Sequence, residues 1–396
     1  MMSNDELRQI LIKEAKASEE YVIEKRRQIH MYPETSYEEE KTASLIEKEL
    51  HEIGYTTERI AKTGVLATLK GAEKGKTIAL RADIDALNIT EENDVPFRST
   101  LPGKMHACGH DAHVAMLLGA ARILFKYKDY LKGTLKLIFQ PAEEGGAGGE
   151  KIVKEGYIDD VDFIFGIHVW HELLSGVIGT RKGPMMASAD DFCITIKGKG
   201  GHAAAPHQAI DPTAVLVDIY NALQKLISRE IDPFANVVLT APMFDGSDAF
   251  NVIPTKATLK GTFRTMDPDI RIFIIKRIKE IVEGYSKAWR CDGNVDLGMI
   301  AAYPPLLNDA QTVDNVTSIL ESLDTVIQMN PSMGGEDFAF YLEKTRGIFI
   351  ALGIYNEKKG ITFPHHHPKF DVDETILWKG TAIHTLLGFY SFFTTL

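Results

Sequence analysis

The sequence of 396 residues has few cysteines, no block of basic residues and no long apolar run. Its three cysteines, Cys108, Cys193 and Cys291, are an odd number in a long chain, which favours a reducing compartment over a disulfide framework. The net charge is −11 and no Lys/Arg cluster is interleaved with aromatic residues, which argues against a nucleic-acid surface. The N-terminus lacks the apolar core of a signal peptide, and the apolar C-terminal stretch is too short to span a bilayer. We therefore expect a cytoplasmic protein that binds neither nucleic acid nor membrane.

What the chain does contain is an ordinary globular composition, with 44% hydrophobic and 25% charged residues. Its length exceeds what a single core usually holds, so two domains are expected. Alternating strands and helices in residues 1–186 and 304–396 predict an α/β domain with a mostly parallel sheet covered on both faces. Residues 187–303 show the order β-α-β-β-α-β of a ferredoxin-like α+β unit, with its last strand at Val295–Ala301. The prediction is a catalytic domain, 1–186 plus 304–396, into which residues 187–303 are inserted.

One stretch, Met105-His-Ala-Cys-Gly-His-Asp-Ala-His113, packs one thiol, three imidazoles and one carboxylate into nine residues. An apolar, Ala-rich run follows it and predicts a buried helix. Cys, His and Asp side chains bind borderline divalent metals such as zinc. A polar loop with a buried cysteine is the alternative, but five such groups in so short a segment favour a metal site.

Other polar groups come just after predicted apolar strands: Asp83 with Asp85, Glu143 with Glu144, and His168. Ligands of parallel sheets bind beyond the carboxyl ends of the strands, so these side chains are expected at one rim. A pair of metal ions needs this many ligands. A nucleophilic Cys108 with His110 or His113 as its base, the competing hypothesis, needs fewer. Glu143 and Glu144 are adjacent and point in different directions, so one can ligate a metal while the other holds a proton.

Five segments of the chain resemble the amidohydrolase family of hippurate hydrolases, N-acyl-amino-acid deacylases, auxin-conjugate hydrolases and thermostable carboxypeptidases. They are residues 106–113, 140–146, 166–168, 198–204 and 366–370. The resemblance implies a zinc-peptidase-like α/β fold for the first domain, with a mixed sheet flanked by helices. It also implies that the inserted domain is a lid that dimerises, and hence a homodimer or homotetramer.

By the same resemblance, two divalent metal ions per subunit are held by Cys108, His110, Glu144, His168 and His366. Zinc is expected, with manganese or cobalt as alternatives. Three further assignments follow from it: Glu143 is the general base, His202 is an oxyanion donor that reaches the partner subunit's site, and Asn251 with Arg264 holds the substrate's free carboxylate.

Several assignments stay open at this level. His365 and His367 are alternatives to His366, and His171 stands where the family usually has proline. Asp111 and His113 are interpreted as residues that orient the ligands. The roles of Asp83 and Asp85 are undecided.

The predicted activity is metal-dependent cleavage of the amide bond of N-acyl-L-amino acids, and also of N-blocked or short peptides. A dipeptidase or an acetylornithine-type deacylase is the nearest alternative. A thiol hydrolase built on Cys108 and a binding protein without turnover are the others, and the intact Glu143 argues against the last. The sequence does not specify the acyl group or the amino acid.

Overall fold

The computed structural model describes residues 3–299 and 302–393, which form two compact units. Unit 1 comprises Met1–Gly183, Leu307–Asn330 and Asp337–Leu396, and unit 2 comprises Pro184–Leu306 and Pro331–Glu336. Each unit has its own cluster of buried apolar side chains. Among the described residues, no helix combines the length and apolar character needed to cross a bilayer.

The helices in chain order are α1 (Asn4–Ala17), α2 (Glu19–His30), α3 (Glu40–Ile53), α4 (His110–Lys126), α5 (Glu143–Gly146), α6 (Gly148–Lys154), α7 (Pro212–Glu230), α8 (Pro268–Trp289), α9 (Ala310–Leu320), α10 (Ala339–Leu342), α11 (Leu377–Gly388) and α12 (Tyr390–Phe393).

The strands are β1 (Thr56–Ile60), β2 (Gly64–Lys70), β3 (Glu73–Asp83), β4 (Lys132–Gln140), β5 (Phe163–Leu174), β6 (Ile178–Thr180), β7 (Gly183–Met186), β8 (Asp190–Lys197), β9 (Gly201–His202), β10 (Val237–Asp245), β11 (Val252–Ile253), β12 (Lys256–Thr265), β13 (Asp292–Leu297), β14 (Leu306–Asn308), β15 (Val326–Gln328) and β16 (Arg346–Tyr355).

Unit 1 is built on an eight-stranded sheet in the order β1-β2-β4-β3-β5-β16-β6-β15. The central strands β4, β3, β5 and β16 run parallel to one another, while β1 and β2 pair in antiparallel fashion, so the sheet is mixed as predicted. Strands β5 and β16 are buried along most of their length, as expected for parallel strands covered on both faces.

Helix α4 is buried along nearly its whole length, as its Ala-rich sequence predicts. It begins after Gly109, whose φ of +93° lies in the left-handed region that favours glycine. A Cβ at Gly109 would lie 2.4 Å from a methyl carbon of Val169 on β5. Glycine at this position therefore lets the helix begin directly against β5, which brings His110 and Cys108 close to the sheet.

Unit 2 contains the antiparallel sheet β10-β12-β8-β13, together with a two-stranded ribbon of β9 and β11. Helices α7 and α8 cover the sheet through apolar residues such as Leu216, Leu223 and Ile278. The order β8-α7-β10-β12-α8-β13 is the predicted ferredoxin-like order. Strand β10 lies at an edge of the sheet and exposes Val238, Met243 and Phe244.

Three predicted elements differ from the structure. The charged helical pattern of residues 5–30 predicts one helix, but the structure divides it at Ser18, where α1 ends and α2 begins. The strand predicted at Val295–Ala301 lies earlier, at Asp292–Leu297, because Gly298 with φ +64° ends it; residues 300 and 301 lie outside the described residues. His168 was expected at a strand end, but β5 continues through it to Leu174, because the prediction ended the strand at its first histidine.

Candidate metal centre

The loop before α4 and the middle of β5 bring a thiol and an imidazole together. Cys108 Sγ lies 3.5 Å from His168 Nε2, across 60 residues of sequence. His110, in the first turn of α4, joins them, and one ligand atom from each of the three lies within 4.8 Å of the others. Two segments that are far apart in sequence therefore converge on one point at the sheet.

Two further groups of donors adjoin this point: Cys108 with Glu144 and His366, and His110 with Glu143 and Glu144. Glu144 Oε1 lies 3.3 Å from His366 Nε2 and 3.9 Å from His110 Nε2. The loop that carries His366 is attached to the Cys108 segment, because the His366 amide donates to the carbonyl of Ala107 at 2.8 Å. The structure thus brings all five predicted ligands and Glu143 together.

Hydrogen bonds at the far side of two imidazoles determine which nitrogen faces the cluster. His168 Nδ1 donates to the carbonyl of Val169 at 2.5 Å. His110 Nδ1 donates to the Asp85 carbonyl at 2.9 Å, with Asp85 Oδ1 at 3.2 Å. These bonds assign the proton to Nδ1 in each ring and leave the lone pair on Nε2 facing the other donors.

One buried polar atom in the cluster, His110 Nε2, has no hydrogen-bond partner within the described part of the chain. Buried polar atoms in native proteins are almost always paired, and an unpaired one indicates a missing ion or water. The donors are a thiol, imidazoles and a carboxylate, a set suited to borderline divalent metals such as zinc. The residues present therefore fit a metal centre.

The thiol of Cys108 is not activated by its protein surroundings. Burial raises its pKa well above the ordinary value, and the carboxylates of Glu144 and Glu143 raise it further. The reactive form of cysteine is the thiolate, which needs nearby positive charge to form at neutral pH. A bound cation supplies such charge, whereas the acidic neighbours oppose it.

Glu143 follows β4 and lies 7% exposed beside the cluster. Its Oε1 accepts from the backbone N–H of Asp337 at 3.4 Å. The Asp337 carboxylate is itself bound by Arg81 Nη2, Gln140 Nε2 and the Gly149 amide, each at 2.8 Å. A chain of hydrogen bonds therefore connects Glu143 to the rigid sheet.

Both nitrogens of His113 are used, since Nδ1 bonds Asp83 at 2.5 Å and Nε2 accepts from the Val169 amide at 2.9 Å. The second oxygen of Asp83 binds Arg81 Nη1 at 2.6 Å. Asp83 and His113 lie near His110, but their polar atoms bind each other, Arg81 of β3 and the Val169 amide of β5. These contacts agree with an orienting role for His113.

The other histidines of the loop point elsewhere. His367 stacks on Phe363, with ring centroids 4.5 Å apart, and its Nδ1 accepts from the Lys369 amide. His365 Nε2 accepts from the His171 amide at 3.3 Å, and its ring packs edge-on against His168. Neither these two nor His171 belongs to a group of metal-binding donors found among the described residues.

Asp85 and Asp111 hold the segments that carry the candidate ligands. Asp85 accepts the backbone amides of Glu143 at 3.1 Å and Glu144 at 3.0 Å in addition to contacting His110. Asp111 Oδ2 accepts from Arg26 Nε and from His30 Nδ1, both at 2.8 Å. Burial opposes ionisation of Asp111, but Arg26 and His30 outweigh it and hold its pKa far below the usual range.

The three remaining candidates, His202, Asn251 and Arg264, lie in unit 2. His202 is exposed on β9, where it pairs with Val252 of β11, and the carbonyl of Asn251 accepts from the Ala203 amide. His202 and Asn251 are therefore neighbours on the β9–β11 ribbon. Arg264 lies on β12 opposite Val238 and is half-buried.

Sequence reasoning missed Arg81, Asp337 and Glu39. Arg81 could have been identified from the sequence, because it is a charged residue within an apolar strand. A charged side chain that is fully buried, as Arg81 is, must be paired. Asp337 comes two residues after the glycine pair Gly334-Gly335, in a segment where no sequence pattern marks a buried carboxylate. Glu39 stands among charged neighbours, and nothing in the sequence distinguishes it from an exposed residue.

The chain is similar to characterised peptidases and deacylases over nearly its full length. It is 42% identical over 374 residues to a protein named thermostable carboxypeptidase 1 from Saccharolobus solfataricus, covering 93% of this chain and 95% of that one. It is 40% identical over 365 residues to a Bacillus subtilis protein named N-acetyl-L-cysteine deacetylase, covering 92% and 86%.

A solved structure gives the same result for the fold. A Bacillus subtilis protein described as a dinuclear metal binding peptidase of the M20 family superposes with a TM-score of 0.83 at 35% identity, covering 96% of this chain and 100% of that one. The profile described as peptidase family M20/M25/M40 matches residues 79–387. These matches confirm the resemblance inferred from the motifs. The chain belongs to peptidase family M20/M25/M40 and is a metal-dependent hydrolase.

Proposed function

We propose that this hydrolase cleaves the amide bond of N-acyl-L-amino acids, releasing a carboxylic acid and a free amino acid, and that it also acts on N-blocked or short peptides. The observation that supports this best is the convergence of Cys108, His110, Glu144, His168 and His366 beside the buried Glu143. Five donors and an adjacent carboxylate are what a two-metal hydrolytic site with a general base requires.

The proposed ligands would hold two divalent ions. Cys108 belongs both to the group with His110 and His168 and to the group with Glu144 and His366. Zinc suits the mixed thiolate, imidazole and carboxylate set, and manganese or cobalt can occupy similar sites. When bound, the ions polarise the substrate carbonyl and acidify a water molecule. His110 and His168 would bind an ion through Nε2, because the Nδ1 protons are held by the carbonyls of Asp85 and Val169.

Glu143 is proposed as the general base, which accepts the proton of the attacking water at a carboxylate oxygen and delivers it to the leaving nitrogen. It has no place in the five-ligand set, and the Asp337 amide holds its Oε1. Because the carboxylate is almost fully buried, it can retain a proton briefly without exchange with bulk water. Arg81 and Gln140 hold the carboxylate of Asp337, whose backbone amide donates to Glu143.

The residues of unit 2 are proposed to act on the substrate. Arg264 and Asn251 hold its free carboxylate, the guanidinium through paired hydrogen bonds. His202, which is exposed, donates to the oxyanion in the partner subunit's site. This assignment requires a dimer. It is supported by the exposed apolar side chains on the edge strand β10, which lacks a second neighbouring strand in its sheet within the described residues. Pairing of such dimers into tetramers is the larger alternative.

The names of the relatives support the substrate class. One is a carboxypeptidase and another a deacetylase of an N-acetylated amino acid. Both activities break an amide whose nitrogen belongs to an amino acid with a free carboxylate. A dipeptidase or an acetylornithine-type deacylase is the alternative within the family. A cytoplasmic location is proposed from the three free cysteines.

A hydrolysis panel tests the proposal. Acetyl-, benzoyl- and benzyloxycarbonyl-amino acids are assayed beside a set of unblocked dipeptides, with each substrate in its L and D forms. The proposal expects kcat/KM for the L-N-acyl compounds to exceed that for unblocked dipeptides. The reverse order would assign the chain to the dipeptidases, and no turnover of either set by metal-loaded protein would refute the proposed activity.

A further inference from the structure

Residues 141–147, between β4 and α6, have an unfavourable backbone. The short α5 lies within them, but Glu144 and Gly145 have non-helical backbone angles, so the segment is called a turn below. Ala142 has φ +55° and Ala147 has φ +50°, both in the left-handed region that residues with a Cβ seldom adopt. Gly145, at φ +89°, is the only one of the three that adopts it without steric cost. Since Glu143 and Glu144 lie between these residues, the direction of both carboxylates depends on contacts that keep the turn in this conformation.

Three consecutive amides of this turn donate to two buried carboxylates. The amide of Ala142 donates to Glu39 Oε1 at 2.9 Å, and the next two amides donate to the two oxygens of Asp85. Asp85 also contacts His110, so it belongs to the ligand surroundings. Glu39 contacts none of the proposed ligands, and its other oxygen accepts from the Thr63 hydroxyl at 2.6 Å.

Glu39 is itself rigidly placed. It is completely buried and directly precedes the first turn of α3. Glu34 accepts the amides of Lys41 and Thr42 at 2.9 Å each, which fixes the start of that helix. A carboxyl group in such a buried position is costly, and burial raises the pKa of Glu39 to about 7. Both the neutral and the ionised group retain an oxygen that accepts from the Ala142 amide.

We propose that Glu39 is a positioning residue that holds Ala142 in its left-handed conformation and so directs Glu143 and Glu144 at the metal centre. The inference rests on the proposed function for the roles of those two glutamates. Without an acceptor for the Ala142 amide, a buried donor is left unpaired, and the turn relaxes toward ordinary backbone angles. Both the base and one ligand then move, although neither has been substituted.

Three variants test this. Glu39→Met keeps the length of the side chain and removes the acceptor. Glu39→Gln is the conservative variant, because its amide oxygen accepts from Ala142 and its NH₂ group donates to the Thr63 hydroxyl. Glu38→Gln is the matched control: Glu38 is the preceding residue, its side chain is 63% exposed, and it binds Lys104 rather than the turn.

The first readout is hydrogen exchange of the turn in metal-free protein, which requires neither substrate nor metal. The Ala142 amide is expected to exchange at least tenfold faster in Glu39→Met than in wild type, and at the wild-type rate in Glu39→Gln and Glu38→Gln. The second is metal affinity by competition with a chelating dye, with zinc as the probe. Partners that orient ligands typically contribute 10–100-fold to affinity, so Glu39→Met is expected to bind its weaker zinc equivalent about tenfold less tightly.

The third readout is kcat against KM on an N-acyl amino acid. Glu39→Met is expected to lower kcat more than tenfold while KM stays within about twofold of the wild-type value. Glu39→Gln is expected to restore kcat. Wild-type exchange and zinc affinity in Glu39→Met would overturn the inference. If Glu39→Met does not fold, Glu39→Asp replaces it, because the shorter side chain cannot reach both partners. Glu39→Asp is expected to show the same three changes. Wild-type behaviour of Glu39→Asp would equally overturn the inference. If wild type hydrolyses no substrate while the exchange and affinity results appear, the proposed activity fails and the inference stands.

Discussion

Cys108 Sγ and His168 Nε2 lie 3.5 Å apart, although Cys108 precedes α4 and His168 lies within β5. The contact forms because Gly109 allows α4 to begin directly against β5. Burial raises the pKa of the thiol and the surrounding carboxylates raise it further, which suits a ligand that loses its proton to a cation rather than a free nucleophile.

Replacement of this thiol distinguishes the two roles. We expect Cys108→Ala to weaken binding of at least one zinc ion by more than about 100-fold, because loss of a ligand exceeds the 10–100-fold effect of outer contacts. Activity falls in parallel. Cys291→Ala, a half-buried cysteine in unit 2, is the control and keeps both. A Cys108→Ala protein that binds two zinc ions with wild-type affinity and lacks activity would instead support the thiol mechanism.

The base assignment predicts a separation of metal binding from turnover. Glu143→Gln preserves size but cannot accept the proton, so kcat is expected to fall about 10²–10⁴-fold, the usual contribution of a general base. Metal content, measured by elemental analysis, stays at the wild-type level. Glu150→Gln, which affects an exposed ion pair with Lys154, is expected to change neither quantity. Glu143→Gln activity within tenfold of wild type would remove Glu143 from this role.

The triple histidine offers a comparison within three consecutive residues. We expect His366→Ala to lose zinc affinity and activity, because its Nε2 lies 3.3 Å from Glu144 in the cluster. His367→Ala is the control and is expected to retain both, since that ring stacks on Phe363. Equilibrium dialysis with zinc measures the difference. If His367→Ala loses metal while His366→Ala keeps it, the ligand assignment is wrong.

The motifs predicted the composition of the candidate site better than its geometry. The five candidate ligands follow from the resemblance of five segments to a known family, whereas the residue types in residues 105–113 by themselves predict only a metal site. The contacts that orient them were not predictable, since Glu39, Asp85 and Asp337 act through backbone amides. Which amide donates to which carboxylate depends on residues in the left-handed conformation, such as Ala142. An alanine in the sequence does not predict that conformation.

The fold could be predicted from the pattern of residue types along the chain. Parallel strands β3, β4 and β5 read as apolar runs, and the β-α-β-β-α-β order of unit 2 follows from its alternating periods. Strand ends were less certain. His168 and His171 lie inside β5, where polar residues interrupt the apolar pattern because the candidate centre lies there, so the prediction ended the strand too early.

The buried Glu39 predicts a pH effect on stability. Its pKa is raised to about 7 from an ordinary 4.5, chiefly by burial and also by Asp85, so between these values the folded chain retains a proton that the unfolded chain loses. Stability therefore decreases as pH rises from about 4.5 to 7, by about 3 kcal/mol at 1.36 kcal/mol per pKa unit. Glu39→Gln is expected to lack this decrease in stability, because glutamine does not titrate.

Urea unfolding of metal-free protein at pH 5 and pH 8 measures the effect. The difference in the free energy of unfolding between Glu39→Gln and wild type is expected to rise with pH by up to about 3 kcal/mol. Glu38→Gln is the control, for which no such trend is expected. Equal pH dependence in Glu39→Gln and wild type would show that Glu39 titrates normally.

The most direct test of the account is the metal content of the purified protein measured together with its activity. Dialysis against a chelator should remove two equivalents of divalent metal per chain and abolish hydrolysis of an N-acyl amino acid. Addition of zinc, manganese or cobalt should restore it, with full activity only at two equivalents. Undiminished hydrolysis by protein shown to contain no metal would contradict the account.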